Sequence, residues 1–350
     1  MANNFTKIID EDIAYIVSAD LPWRELEGKN ILVSGANGAL PAYMVETILY
    51  LNENLFKSKT TIFALVRNLA KAEKRFEHHK HNTYLKFIVQ DVCDKVSVVE
   101  NLDYIIHAAS QASPIYYGSD PVGTLLPNVL GTYNLLELAR EKKVKCFLFF
   151  STGAVYGSVE NNSLVNNEEK FGVLDPLKIE SCYPESKRMG ENMCLAWFSQ
   201  YQVPVKIIRP FHTYGPGVGL EDGRVFADFV RNIMSNEDIT MNSDGSAKRN
   251  FCYLADAVVA YFMILFKGNI GEAYNVSSDK PTSILELANI LVGMFPEKKL
   301  KIIKKEILNK NYLRTTTPDY LPDISKLVNL GWKQTYSIED GFKRMVKSFE

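Results

Sequence analysis

Neither sign of charge dominates this 350-residue chain, because 40 lysines and arginines face 41 aspartates and glutamates, which leaves a formal net charge of −1. A protein that grips a nucleic acid or an anionic membrane surface usually carries a clear positive excess. The balanced charge therefore argues against nucleic-acid and membrane partners. It also means that any anionic ligand must be held by a local arrangement of donors.

Long apolar runs and cysteine pairs are missing as well. The longest uninterrupted apolar run, residues 257–266, is about half as long as a membrane-spanning helix. The five cysteines are odd in number and form no Cys-x-x-Cys pair, which is typical of a reducing compartment rather than of a disulfide framework. The first thirty residues show no signal-peptide pattern. We therefore expect a cytoplasmic protein.

What is present is an alternation of short β-type apolar runs with helix-length segments, as a parallel sheet covered on both faces requires. The runs are residues 31–34, 61–66, 86–89, 104–107, 146–150 and 205–208. This pattern predicts a doubly wound α/β (Rossmann) fold. We assign residues 1–28 to an N-terminal extension with a helix around 11–17 packed on the outside. Residues 29–212 form the predicted dinucleotide-binding domain, and residues 213–350 form a smaller α/β domain that binds the substrate.

A glycine turn follows the first predicted strand, and an apolar-periodic helix follows the turn. Glycines there let the backbone approach a pyrophosphate, and the helix N-terminus supplies unpaired N–H groups. The predicted cofactor contacts in the turn are Gly35, Asn37, Gly38, Ala39 and Leu40. Pro41 stands where a third glycine is expected, and proline is tolerated in a first helical turn.

The ends of the next two strands bear on the choice of dinucleotide. An NAD-binding fold usually places an acidic residue after the second strand, whereas this chain has Arg67 there. An arginine at that place can accept the 2′-phosphate of NADP, and a solvated surface arginine is the equally weighted alternative. Asp91, after the third strand, is a predicted partner for the adenine amino group. We expect NAD as the cofactor, with NADP as the alternative.

The most specific signal is Tyr183-Pro-Glu-Ser-Lys187, placed where a helix should begin. A tyrosine and a lysine four residues apart share one helix face, so we expect the ammonium of Lys187 to lower the pKa of the Tyr183 phenol and make it a general base. Thr152 follows the fifth strand, at the sheet edge where doubly wound folds bind ligands. Its hydroxyl is predicted to share the substrate proton with Tyr183.

With these motifs the chain resembles the extended short-chain dehydrogenases/reductases that act on nucleotide sugars, from about residue 28 to the C-terminus. The closest pattern is that of UDP-glucuronate decarboxylases and dTDP-glucose 4,6-dehydratases. The further motifs that carry the resemblance begin at His107, Ala112, Asn128, Arg209, Asp222, Arg249 and Pro322.

Several site residues are implied by this resemblance alone. To the cofactor contacts it adds Val92, Ala108, Ala109, Ser110, Tyr183 and Lys187. For a nucleotide-diphosphate sugar it implies Ser113, Thr152, His212, Arg224 and Arg249, with Asp256 or its neighbours near the uridine. His212 replaces an asparagine that is usual in the family. The resemblance further suggests a homodimer, paired through the helix of Tyr183 and the helix at 132–142, and a polysaccharide pathway.

One departure from the pattern bears on the reaction. Family dehydratases carry an acidic pair after the catalytic threonine, and the decarboxylases keep a glutamate at the second of these positions, but this chain has Gly153 and Ala154. Neither side chain can transfer a proton, so we predict a 4-epimerase that works through a transient 4-keto sugar. Decarboxylation or dehydration, reduction of a 4-keto sugar by NADPH, and a non-catalytic dinucleotide-binding role are the alternatives.

A histidine tract, His78-His-Lys-His81, is the remaining pattern with possible chemistry. It lies in a polar stretch without a neighbouring thiol or carboxylate framework. The sequence therefore predicts no metal site.

Overall fold

The computed structural model describes residues 4–158, 165–304 and 321–350. Seven of its strands form one parallel sheet in the order β11-β7-β5-β4-β1-β2-β3. In chain order the strands are β1 (Asn30–Ser34), β2 (Thr61–Val66), β3 (Leu85–Val89), β4 (Tyr104–His107), β5 (Cys146–Phe150), β6 (Val165–Asn166), β7 (Val205–Pro210), β8 (His212–Tyr214), β9 (Ile239–Met241), β10 (Lys248–Tyr253), β11 (Ala273–Val276), β12 (Pro281–Ser283), β13 (Ile302–Lys304) and β14 (Leu321–Pro322).

Helices flank this sheet on both faces. In chain order they are α1 (Asn4–Ser18), α2 (Ala39–Asn54), α3 (Leu69–Arg75), α4 (Ile115–Ser119), α5 (Pro121–Leu126), α6 (Thr132–Lys142), α7 (Cys182–Tyr201), α8 (Val225–Met234), α9 (Leu254–Lys267), α10 (Ile284–Met294), α11 (Ser325–Val328) and α12 (Ile338–Lys347). The predicted doubly wound fold is confirmed, including all six predicted strands. The seventh strand, β11, comes from beyond residue 212 and was not predicted.

The order in which the strands are added to the sheet reverses at β1. This strand pairs with β2 on one side and with β4 on the other, so Ser34 stands opposite both Leu65 and His107. Ligands of doubly wound folds bind outside the carboxyl ends of the strands at such a switch point. The glycine turn that begins at Gly35 lies directly at this crevice.

The N-terminal helix is longer and more deeply packed than expected. α1 spans Asn4–Ser18, and its Asp12 is fully buried. The Asp12 carboxylate accepts hydrogen bonds from Tyr43 on α2 (2.9 Å) and from Tyr253 at the end of β10 (2.7 Å), and it pairs with Arg344 on α12 at 2.8 Å. The helix therefore lies on the outside with one face exposed, and its buried face ties the N-terminal half of the chain to the C-terminal half.

The C-terminal region builds small sheets around the site. Strand β10 pairs in parallel with β8 and antiparallel with β12. α10 begins as a capping box, in which Ser283 and Glu286 satisfy each other's backbone N–H groups. The longest apolar run, residues 257–266, lies within the buried helix α9. Among the described residues, we find no helix with the length and apolarity needed to cross a membrane.

Candidate active site

The turn between β1 and α2 brings the backbones of two strand ends together. Gly35 has φ of +65°, and a Cβ built there would lie 2.8 Å from the Ala109 Cα. Only glycine fits both this left-handed conformation and so close an approach. Gly38 is the N-cap of α2 and offers no side-chain cap to the helix. The turn therefore presents backbone N–H groups at a helix start, as an anion-binding turn requires.

The remaining residues of the turn lie where the sequence predicts them. Asn37 is half-buried within the turn, and Ala39 and Leu40 are the first two residues of α2, also half-buried. Pro41 is buried in the first helical turn, and the Ala42 N–H donates to the Gly38 carbonyl at 3.0 Å. The helix thus tolerates proline at the position where a third glycine is usual.

A buried hydrogen-bond chain fixes the strand end beside this turn. The Thr132 hydroxyl donates to the Asn128 carbonyl at 2.6 Å, so the His107 Nε2, 3.0 Å away, must donate to Thr132. The Nδ1 of His107 then accepts from Ser34 at 2.8 Å, and Ser34 Oγ accepts two backbone N–H groups just after β4. Burial lowers the pKa of His107 to about 3, so the ring stays neutral.

Residues Ala108, Ala109 and Ser110 continue from this strand end and are half-buried beside the turn. The Ser110 Oγ is a buried atom with no hydrogen-bond partner within the described residues. A buried hydroxyl of this kind needs a partner, which a bound ligand can supply. The geometry thus accommodates the predicted cofactor contacts of this segment.

At the neighbouring strand ends, Arg67 and Asp91 face each other. The Arg67 Nη1 lies 3.9 Å from the Asp91 Oδ2, and both side chains remain accessible. Asp91 also accepts the Cys93 N–H at 2.9 Å, while Val92 is buried against Gly131. Arg67 therefore has an acidic neighbour at the place where a 2′-phosphate or a ribose would lie. Its role as a phosphate ligand stays a prediction.

The two predicted proton-transfer groups meet at the carboxyl edge of the sheet. Thr152 follows β5 directly, and Tyr183 is the second residue of α7. Tyr183 is only 7% exposed, and the Thr152 hydroxyl lies close enough to the Tyr183 phenol to lower its pKa. Thr152 Oγ1 also accepts the Ala154 N–H at 3.2 Å, which fixes its rotamer. The pair can pass a proton between the two hydroxyls and a bound alcohol.

The electrostatics of Tyr183 differ from the expectation in one respect. Burial raises the pKa of the Tyr183 phenol, and the groups that lower it are the Thr152 hydroxyl and the charge of Arg224. The predicted lowering by Lys187 is not reproduced, because the Lys187 ammonium donates to the Phe150 carbonyl at 2.7 Å instead. Tyr183 and Lys187 share a helix face, but the ammonium points to the end of β5.

Lys187 is itself strongly perturbed. Its side chain is 2% exposed, and its Nζ lies 5.1 Å from the centre of the Phe149 ring. Burial lowers the pKa of this ammonium to about 7, although the nearby Glu191 carboxylate opposes the change. A lysine with a pKa near neutrality is typical of active sites, since ordinary structural lysines titrate well above it.

A second aromatic ring covers Tyr183, and the sequence reasoning missed it. Tyr117 at α4 stacks on Tyr183 with ring centroids 5.0 Å apart and an angle of 13° between the planes. Its hydroxyl donates to the Ala112 carbonyl at 3.0 Å. Tyr117 lies within a motif that carried the family resemblance, but its contact with Tyr183 spans 66 residues and has no local signal in the sequence.

Behind the site lies a buried ionic network that was also missed. Glu191, one turn after Lys187, pairs with Arg209 through two bonds of 2.9 and 2.7 Å. The same carboxylate accepts a hydrogen bond from Ser151, the residue before Thr152. Arg209 also donates to the Tyr156 hydroxyl at 2.9 Å. The network joins α7 to the ends of β5 and β7, and so holds the two proton-transfer groups in place.

The position after Thr152 has little room for a side chain. A Cβ on Gly153 would lie 2.5 Å from the ring of Phe211, closer than any ordinary carbon contact. Ala154 is half-buried and ends in a methyl group. Family dehydratases carry acids at these two positions. Here the space beside Gly153 is filled by the Phe211 ring, and Ala154 has only a methyl group.

Two loops that carry predicted substrate ligands are joined to each other. Ser113 donates a hydrogen bond to the Asp222 carbonyl, and the Asp222 carboxylate pairs with Arg224. Arg224 acts electrostatically on both Tyr183 and Tyr117. The structure therefore joins the predicted substrate ligands Ser113 and Arg224 through Asp222, and Arg224 lies close enough to Tyr183 to act on it electrostatically.

His212 and Arg249 complete the predicted substrate ligands. His212 is the first residue of β8, and Arg249 is the second residue of the neighbouring strand β10. The centre of the His212 ring lies 5.9 Å from that of the Phe251 ring. Burial, together with the charges of Arg249 and Arg224, lowers the pKa of His212 to about 3. His212 is therefore a neutral ring within reach of two cations. Three of the five predicted substrate ligands form one electropositive group.

Asp256, expected near the uridine, is not part of this group. Its side chain is fully buried and accepts hydrogen bonds from the Tyr15 hydroxyl (2.6 Å) and from the N–H groups of Thr335 and Tyr336 (3.1 and 2.9 Å). These partners hold the carboxylate inside the protein. Asp256 itself thus joins α9 to the N-terminal and C-terminal segments, and the placement of its neighbours near the uridine stays a prediction.

A Rossmann-like sheet with a glycine turn and a Thr152–Tyr183 pair at the switch-point edge defines an enzyme of the nicotinamide-dependent class. Residues 31–277 match the NAD dependent epimerase/dehydratase family. The chain belongs to this family.

Relatives and solved structures agree with this assignment. UDP-glucuronic acid decarboxylase 6 of Arabidopsis thaliana is 31% identical over 330 residues, which cover 91% of this chain and 88% of that protein. UDP-glucuronic acid decarboxylase 1 of Danio rerio is 29% identical and covers 93% of this chain, with 73% of its own length matched.

The similar solved structures include epimerases. A UDP-glucose 4-epimerase of Thermotoga maritima has a TM-score of 0.78 at 23% identity, covering 91% of this chain and 98% of that one. A UDP-glucuronic acid 4-epimerase of Bacillus cereus, solved with UDP-glucuronic acid and NAD, has a TM-score of 0.76 at 22% identity and the same coverages. At these identities the likeness establishes the fold.

Proposed function

We propose that this protein is an NAD-dependent nucleotide-sugar 4-epimerase that works through a transient 4-keto sugar. The observation that carries the proposal is the Thr152–Tyr183 pair next to Gly153 and Ala154. These two hydroxyls can move the proton of a sugar alcohol, whereas dehydration needs further acids beside them. Residues 153 and 154 supply none.

The residues present fit a dinucleotide. Gly35 and Gly38 would face its pyrophosphate, the Ser110 hydroxyl has an open hydrogen-bonding capacity, and Lys187 lies behind the site. A dinucleotide held there would supply a nicotinamide ring as acceptor and donor of the hydride of the sugar C4. We propose NAD, with NADP as the alternative that Arg67 keeps open. Fluorescence titrations of the wild-type protein and the Arg67→Ala variant with NAD and with NADP decide between the two. A loss of NADP affinity alone in the variant would favour NADP.

In the proposed reaction the phenolate form of Tyr183 accepts the proton of the sugar C4 hydroxyl, and the Thr152 hydroxyl shares this proton. Arg224 lies close enough to favour the phenolate electrostatically. The 4-keto sugar must then expose its opposite face while its diphosphate stays held, a role that we assign to Arg224 and Arg249. The guanidinium fork suits phosphate oxygens. Tyr183 finally returns the proton to the C4 oxygen, which leaves the enzyme unchanged.

Decarboxylation of a UDP-uronic acid is the second candidate, because the curated relatives bear the name of that activity. A 4-keto uronic acid loses CO2 readily, so the same first step could lead to it. Residue 154 argues against decarboxylation, because this chain has alanine there in place of the glutamate that the decarboxylase pattern keeps.

Product analysis separates the candidates. We would incubate the protein and NAD with UDP-glucose, UDP-glucuronate or UDP-xylose and follow the sugars by NMR. The proposal expects the C4 epimer of at least one substrate, with the carboxylate retained. If UDP-glucuronate instead releases CO2 and forms a UDP-pentose, the epimerase proposal is wrong and the protein is a decarboxylase. The matched variant Ala154→Glu restores the acid and should shift products of UDP-glucuronate toward CO2 loss.

We also propose that the protein acts as a homodimer through α6 and α7. These helices pack on each other, and Leu130, Tyr133 and Leu195 on or beside them leave between 41 and 46% of their surface exposed. Apolar side chains grouped in this way favour burial against another chain. Sedimentation equilibrium should give about twice the monomer mass of 39.6 kDa. The Leu195→Glu variant should give the mass of a single chain.

A further inference from the structure

A polar cluster far along the chain from the proton-transfer residues collects the ligand atoms that a transition metal prefers. Glu46 is on α2 with a side chain only 3% exposed, and His78 and His79 follow α3 in the turn of a 3₁₀-helix. The tract was expected to lack a carboxylate, and the structure supplies one 32 residues away. The ligand atoms of the three side chains lie within 4.8 Å of one another.

The two imidazoles converge on one carboxylate oxygen. The Nε2 atoms of His78 and His79 lie 3.0 and 2.6 Å from the same Glu46 Oε2. The other oxygen, Oε1, accepts a hydrogen bond from Arg75 at 2.7 Å. Glu46 thus has one oxygen oriented by a guanidinium and one aimed at both histidines. A ligating carboxylate is commonly oriented in this way by an outer hydrogen bond.

The charges around the cluster leave room for a cation. Asp10 on α1 is acted on by His78, His79, Glu46 and Glu53. Glu46 and Asp10 thus place two carboxylates beside the guanidinium of Arg75. This excess of negative charge favours a bound cation.

We propose that His78 Nε2, His79 Nε2 and Glu46 Oε2 form a binding site for a divalent transition metal, of which Zn²⁺ is the best match. Two histidines and one glutamate are a common zinc ligand set, and a tetrahedral ion keeps its ligand atoms about 3.3 Å apart. From 3.0 and 2.6 Å, the two nitrogens would move away from Glu46 Oε2 by about 0.3 and about 0.7 Å to reach this spacing. His78, which is 28% exposed, leaves a path for the ion and for a water as fourth ligand.

Binding would move protons and would tie two elements together. In the present geometry each Nε2 carries a proton toward Oε2, and that proton must be released or carried on Nδ1 when the lone pair binds metal. The ion would join α2, which begins at the phosphate-binding turn, to the segment after α3. We therefore expect it to stabilise the folded protein rather than to take part in the reaction.

The test uses the full chain without a polyhistidine tag, stripped with a chelator and then titrated with Zn²⁺ in a calorimeter. We expect one ion per chain and a rise in the unfolding temperature with Zn²⁺. His78→Gln and His79→Gln should each weaken binding at least tenfold, whereas the matched control His81→Gln should not. His81 belongs to the same tract but lies outside the cluster. Co²⁺ should give the visible absorption of a four-coordinate site.

Two results would overturn the proposal. One is the absence of stoichiometric Zn²⁺ binding to the wild-type protein. The other is binding that persists unchanged in the His78→Gln, His79→Gln double variant, which would place the ion elsewhere. Because Glu46→Gln also removes the buried charge partner of Arg75 and so tests folding together with metal binding, the more exposed His78→Gln is the deciding single variant. Its fold can be checked by circular dichroism before titration.

Discussion

Lys187 should make the stability of the protein depend on pH in a way that can be calculated. The Lys187 side chain is only 2% exposed. Its ammonium donates a hydrogen bond to the Phe150 carbonyl at 2.7 Å and lies over the Phe149 ring. Burial lowers its pKa from the ordinary 10.5 to about 7 in the folded protein. In the unfolded chain the ammonium is solvated and keeps its ordinary pKa.

The direction of the effect follows from proton binding. Between about pH 7 and about pH 10.5 the unfolded chain holds a proton on Lys187 that the folded protein has released, so stability rises with pH in this window. Below about pH 7 both states are protonated, and the full cost of burying the charge, at most about 5 kcal/mol, is present. Between about pH 7 and about pH 9 Lys187 alone should add about 2 kcal/mol.

Urea unfolding at several pH values, with reductant and without dinucleotide, measures this contribution. Lys187→Met keeps the length of the side chain and removes the charge, so the rise in unfolding free energy from about pH 7 to about pH 9 should be about 2 kcal/mol smaller than in the wild type. The exposed Lys74→Met serves as the control and should follow the wild type. Parallel pH profiles for wild type and Lys187→Met would refute the reasoning.

Three further predictions concern the proton-transfer pair, the buried network and the glycine turn. Tyr183→Phe keeps the stack on Tyr117 but removes the hydroxyl, so kcat should fall about 10²- to 10⁴-fold with unchanged urea unfolding; a loss under tenfold would contradict the assigned role. Glu191→Gln leaves the buried Arg209 without its charge partner and should cost about 3–5 kcal/mol in urea unfolding, whereas Glu185→Gln at a half-exposed position of the same helix should cost under about 1 kcal/mol. Gly35→Ala forces a Cβ to within 2.8 Å of Ala109 and should abolish NAD binding in a fluorescence titration, while Gly293→Ala in α10, which meets no atom within 4 Å, should leave that affinity unchanged.

The local patterns were reliable where the physics is local. A run of apolar residues such as 146–150 can be buried on both faces only in a covered sheet, and all six such runs are strands of the central sheet. A glycine before a helix and a tyrosine and lysine one turn apart are likewise features of neighbouring residues. Their positions at the switch-point edge followed from the fold class, since parallel strands end at a common edge.

The missed features all join residues far apart in the chain. Strand β11 was overlooked because it is short and follows a region without alternation, and only its pairing with β7 places it in the central sheet. Asp256 was expected at the substrate because its motif resembles a binding motif. The direction of its side chain is decided by Tyr15, Thr335 and Tyr336, which no motif connects with it.

The sequence by itself determined the doubly wound class, the glycine turn and the residues Thr152, Tyr183 and Lys187, because these depend on residue type and short spacing. Only the tertiary structure decided that Arg224 rather than Lys187 opposes the raised pKa of Tyr183, that Phe211 closes the space beside Gly153, and that Glu46 meets two histidines. Packing and desolvation act through distance in space, and the folded chain sets those distances between residues that the sequence keeps apart.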